Sequence, residues 1–84
     1  MDIYKESDKS TIALQRKGSG ASKYETIALY NSPYGAIDKL EHNNLVSDRI
    51  ISELKRNAFE LTLRGAQISL KGLDGARYQI KNTR

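Results

Sequence analysis

Eighty-four residues with 14 lysines and arginines, 10 aspartates and glutamates, one histidine and no cysteine specify one small, mildly basic domain of formal net charge +4. A chain this short buries only about 60–65% of the surface its unfolded form exposes, which leaves no room for a separate catalytic domain. Without cysteine there is no disulfide framework, thiolate nucleophile or zinc–thiolate site, and a lone histidine builds no metal centre without several carboxylates, so neither metal nor cofactor is expected.

The first ten residues, "MDIYKESDKS", mix both charge signs without an apolar core, and the longest apolar run in the chain is Ile27 to Tyr30. Neither a signal peptide nor a membrane span is expected, and a cytoplasmic protein is the default. Residues 1–9 are expected to be loose.

The tetrapeptide "TIAL" then occurs twice, at Thr11 to Leu14 and Thr26 to Leu29, separated by a glycine- and serine-rich stretch. Each copy sits in a short β-branched and aromatic segment bounded by turn formers, so the pair reads as an antiparallel hairpin closed by "KGSGAS". Uninterrupted alternation in the second strand puts Ile27 and Leu29 inward, with Tyr24, Thr26, Ala28 and Tyr30 outward. The loop has the composition of a phosphate cradle, but such a cradle needs G-x-x-x-x-G-K-[ST] opening a helix. Here Ser22 precedes Lys23, Tyr24 follows it, and the next element is a strand. What the loop offers is Lys17 and Lys23 at its two ends, able to touch an acidic partner.

"NSPYGAIDKLEHNN" predicts a helix over about Pro33 to His42, with Ser32 as cap, Pro33 at the first helical position and Asn43 or Asn44 taking the left-handed conformation at its end. A second helix follows, capped by Ser47, with Asp48 at its positive end and Lys55 and Arg56 at its negative end. Its stripe of Val46, Ile50, Ile51, Leu54 and Ala58 is to pack on a sheet. His42 reads as a surface residue at a helix C-terminus, since no nucleophile or metal partner stands at a spacing that supports acid–base catalysis. Asp38, Glu41, Asp48 and Glu53 lie among Lys39, Arg49, Lys55 and Arg56, which reads as solvated ion pairing rather than metal ligation.

From Phe59 the period changes to two. Phe59, Leu61 and Leu63 are odd-numbered whereas Ile68, Leu70, Tyr78 and Ile80 are even-numbered, so a turn or bulge near Gly65 is needed to bring all seven to one core face. "GLDG", Gly72 to Gly75, makes a further turn, and residues 82–84 are expected to be loose. The chain thus reads as a small single α+β domain, an antiparallel β-sheet with two helices packed on one face, in the order strand, strand, helix, helix, strand, strand, strand.

The charge surplus lies in the last third: residues 58–84 carry +3, against +1 for 1–32 and 0 for 33–57. The outer sheet face collects Thr62, Arg64, Gln67, Ser69, Lys71, Arg77, Gln79 and Lys81, with only Glu60 opposing them. Lysine and arginine contact phosphates, while glutamine, serine and threonine bond to phosphate, sugar or base edges. Tyr24 and Tyr30, outward beside Gln15 and Lys17, are candidate stacking groups for bases. The expected function is therefore non-catalytic nucleic-acid binding, DNA or RNA, by an accessory or regulatory protein. The sites are Lys17, Lys23, Tyr24, Tyr30, Arg64, Lys71, Arg77 and Lys81. The alternative is a small interaction or inhibitor module that docks the same face, or an exposed edge strand, on an acidic protein surface. A homo-oligomer is a further option that would help a core this small.

Two helices followed by the glycine-tipped hairpin "SLKGLDGARYQI" also resemble the second half of a winged-helix domain. That resemblance implies a helix from Ser47 to Asn57 in the DNA major groove, with Arg49, Ser52, Lys55 and Arg56 toward the DNA and Lys71 and Arg77 in the wing. It departs from the pattern in lacking a third helix.

Overall fold

The computed structural model describes residues 10–84, so the segment expected to be loose at 1–9 lies outside the described residues. Its elements are strands β1 (Ile12–Lys17) and β2 (Glu25–Tyr30), helices α1 (Pro33–His42) and α2 (Asp48–Arg56), a 3-10 helix (Ala58–Thr62), and strands β3 (Gln67–Lys71) and β4 (Arg77–Asn82). The four strands form one open antiparallel sheet in the order β2-β1-β4-β3. The two "TIAL" copies are neighbouring strands of a hairpin, as their flanking turn formers require. The β1–β2 hairpin completes a four-stranded sheet through β4, and α1 and α2 are joined by no third α-helix among the described residues, so the winged-helix-like alternative does not describe this fold.

One sheet face is covered. Helix α1 lies against β1 and β2, the 3-10 helix lies against β4, and α2 packs chiefly on α1 and the 3-10 helix. The core joins Ile12 and Leu14 of β1, Tyr78 and Ile80 of β4 and Leu70 of β3 to Ala36, Ile37 and Leu40 of α1 and Ile51 and Leu54 of α2. Local chemistry supports both helices. Ser47 caps α2 by accepting the Ile50 amide, and Asn44, at φ 52°, takes the left-handed conformation just past α1. Ser32 precedes Pro33 in extended conformation, but its side chain makes no cap bond. Between the helices, Lys55 Nζ reaches Glu41 Oε1 at 3.1 Å, a half-exposed pair of little energetic weight.

Two sequence expectations are corrected. The predicted strand over Phe59 to Arg64 is the 3-10 helix. Ala58 and Leu61, three residues apart, are the pair that goes inward, matching the three-residue turn of that helix, while Phe59 and Leu63 are exposed. Thr62 Oγ1 donates to the Phe59 carbonyl at 2.6 Å, and buried Asn82 ties the element to the sheet by donating Nδ2 to the Leu61 carbonyl. Arg64 falls in the turn that follows and does not belong to the sheet face.

The second correction is the register of β2. Ile12 faces Tyr30, Ala13 faces Leu29 and Leu14 faces Ala28; then the pairing slips, and Gln15 faces Thr26. The slip leaves Ile27 without a partner, as in a β-bulge, and exchanges the faces of the strand beyond it. Tyr24 and Thr26 stay outward, but Ala28 and Tyr30 turn inward and Leu29 turns out, 57% exposed. Gly35 of α1 is what admits the Tyr30 ring, since a Cβ there would come within 2.5 Å of it. Gly35→Ala is therefore expected to force the ring aside and destabilise the domain by roughly 1–3 kcal/mol, read by chemical denaturation. An unchanged midpoint would mean that Tyr30 is not seated against α1.

At the C-terminus, Thr83 donates both its amide and its hydroxyl to the Thr11 carbonyl, and the Arg84 amide donates to Asn82 Oδ1.

Candidate functional site

The sheet face that no described helix covers is built in rows, because directly paired residues on antiparallel strands point the same way. One end row is Lys17, Arg77 and Lys71 on β1, β4 and β3, joined by the register pairs Lys17↔Arg77 and Lys71↔Arg77. The middle row runs across all four strands as Thr26, Gln15, Gln79 and Ser69. These four are hydrogen-bonded in series: Gln15 Nε2 donates to Thr26 Oγ1 at 3.1 Å, Gln79 Nε2 to Gln15 Oε1 at 2.7 Å, and Ser69 Oγ to Gln79 Oε1 at 3.4 Å. The third row is Leu29, Ala13, Lys81 and Gln67, with Ala13 buried between its larger neighbours. Lys81 stands four residues from Arg77 along β4, roughly 13 Å away at the rise of an extended strand.

Among the described residues the cationic row has no compensating acid. Glu25, the one carboxylate in the strands, faces Arg16 and shares its helix-covered side. Asp74, in the β3–β4 turn, is also committed to that side: it accepts from the Tyr78 hydroxyl at 2.9 Å and the Ala76 amide at 3.0 Å, and pairs with Arg16 at 3.5 Å. The Ala76 amide, then the Tyr78 hydroxyl, hold the Asp74 carboxyl below its ordinary value. Burial pushes the Tyr78 hydroxyl up, against the opposing effect of the Arg16 hydrogen bond. The bond to Tyr78 is also the chief reason the Arg16 guanidinium is held above its usual value. Gly72 is required in this turn, since a Cβ would meet the Ala76 carbonyl and the Tyr78 ring at 2.7 Å. The network fixes the turn and removes its only acid from the open face.

The sequence-predicted residues separate accordingly. Lys17, Lys71 and Arg77 stand in one row, with Lys81 two rows away on the same face. Tyr24 lies beside the row, its ring centroid 5.2 Å from Lys17 Nζ. Lys23 is exposed in the loop before Tyr24. Tyr30 packs against the core, where burial raises its hydroxyl pKa, and so does not belong to the face; nor does Arg64. The middle ladder extends onto β2 through Thr26, a link visible only once the bulge is placed. Among the described residues, no helix is long and apolar enough to cross a membrane. Comparison with known protein families, curated proteins and solved structures finds no match for this chain.

Proposed function

We propose that this domain is a non-catalytic nucleic-acid-binding protein that lays a single strand across its open sheet face. The observation that carries this reading is the sign segregation: Lys17, Lys71, Arg77 and Lys81 project from one face of the sheet, and Glu25, the one carboxylate in its strands, lies on the other. These cations would contact phosphates, the Gln15–Gln79–Ser69 ladder offers donors and acceptors to base edges, and Tyr24 supplies a ring for stacking. The exposed sheet face favours a single strand, because both helices lie on the opposite side and neither can enter a major groove from this face.

Binding of a labelled oligonucleotide of DNA or RNA is expected to weaken by roughly 15- to 50-fold between 50 and 200 mM salt if three or four phosphates are neutralised. Tyr24→Ala is expected to weaken it by roughly fivefold or more, whereas Tyr24→Phe retains it, because stacking uses the ring and not the hydroxyl. Absence of binding to single-stranded DNA and RNA at 50 mM salt removes the reading. A second reading, docking on an acidic protein, is favoured by one observation: Ile27 and Leu29 on edge strand β2 are 45% and 57% exposed. A protein partner that survives nuclease treatment in a pull-down and is lost on Leu29→Glu would select it.

A further inference from the structure

The glycine-rich loop between β1 and β2 and the turn between β3 and β4 come together at the cationic end of the sheet. Between them lies a cleft of about 270 Å³, lined by Lys17, Lys71, Arg77, loop residues 18–21 and Gly75. Among the described residues no acid lines it, and Asp74, next to Gly75 in sequence, is turned away to Arg16 and Tyr78. Three like charges directly opposite one another on adjacent strands are unfavourable in the free protein. An anion seated among them relieves that repulsion, and the cleft has room for a group much larger than a water molecule.

We infer that this cleft is a pocket for a phosphate monoester and, resting on the reading above, that it seats the terminal phosphate of the strand on the sheet. A monoester carries close to two negative charges at neutral pH, against one for each phosphodiester along a strand, so a cluster of three cations discriminates between an end and the middle. The Arg77 fork presents paired N–H donors to such a group, with the two lysines as flanking point charges. The loop backbone, carrying no side chain at Gly18 and Gly20, permits close approach from the open side. The sequence lacks a phosphate-cradle helix, and the pocket needs none, because its charge comes from strand side chains rather than from a helix terminus.

Two measurements test the pocket separately from the interface. In the first, oligonucleotides of one sequence with a 5′-phosphate, a 3′-phosphate or hydroxyls at both ends are titrated by fluorescence anisotropy, with the dye placed internally. One phosphorylated end is expected to bind roughly tenfold tighter than the hydroxyl form. Arg77→Gln is expected to weaken all three oligonucleotides and to abolish the preference among them. Equal affinities for all three overturn the pocket and leave the interface reading standing. In the second, inorganic phosphate and a nucleoside monophosphate are titrated while backbone amide resonances are followed. Saturable shifts confined to residues 17–21, 71 and 75–77 support the pocket even if no oligonucleotide binds, an outcome that would overturn the interface alone. Absent or molecule-wide shifts overturn the pocket. Saturation by the nucleoside monophosphate at lower concentration than by inorganic phosphate identifies a nucleotide end as the source; the reverse order identifies free phosphate and overturns the strand-end assignment.

Discussion

Replacing Lys17, Lys71 and Arg77 together by glutamine is expected to weaken oligonucleotide binding by roughly 10²- to 10³-fold at 50 mM salt. Each phosphate contact on a single strand contributes about 0.7 to the slope of log K against log salt, so losing three of four should flatten that slope to below about 1. The same variant is expected to melt higher, not lower. The register pairs Lys17↔Arg77 and Lys71↔Arg77 set like charges opposite one another, with no acid between them among the described residues. Glutamine keeps the length of the side chains and removes the repulsion, which should raise Tm by roughly 2–5 °C in a domain this small. Opposite signs on binding and stability distinguish a functional row from a structural one. Unchanged binding would remove these residues from the interface; a fall in Tm would show that the row supports the fold.

The polar face was legible in the sequence, because Lys71, Arg77, Gln79 and Lys81 sit at alternate positions around a "GLDG" turn, and the turn type sets Lys71 opposite Arg77. The placement of Lys17 opposite Arg77 was less accessible, since it depends on β1 lying between β2 and β4, a non-local pairing that local pattern does not contain. Tyr30 and Arg64 were misplaced for different reasons. Tyr30 follows a bulge, and a slip of one residue exchanges every later side chain between faces without leaving a compositional mark. Gly35, five residues on, was the available signal, because a glycine inside a helix costs stability unless something approaches closely. Arg64 was misplaced because "FELTLR" alternates like a strand, yet Ala58 and Leu61 satisfy a three-residue period equally well. In a segment that short the two periods predict different buried sets from the same letters, and packing against α2 and β4 decides between them. The helices suffered no such ambiguity, since Pro33 and Asn44 bound the first, and Ser47 and a five-residue apolar stripe agree on the second.

Leu14→Ala is expected to cost about 3 kcal/mol, within the range for emptying a leucine site in a packed core. Leu14 is fully buried on the helix-covered face of the central strand β1, between Ala28 of β2 and Ile80 of β4, in the cluster that contains Ile37 and Leu40. A domain of this size has a total stability of roughly 4–12 kcal/mol, so the loss should lower Tm by more than about 10 °C. Leu29 provides the contrast that gives the measurement its force. Without a bulge, Leu29 would lie on the same face as Ile27 and Leu14, and its truncation would cost nearly as much. With the slip at Gln15 it stands outward beside Ala13, and Leu29→Ala should move the midpoint by less than about 0.5 kcal/mol. Equal losses from the two substitutions would refute the bulge, return Tyr30 to the open face and reinstate it as a stacking partner for Tyr24. A large loss at Leu14 with almost none at Leu29 fixes the face on which every residue of β2 lies, and with it the composition of the proposed interface.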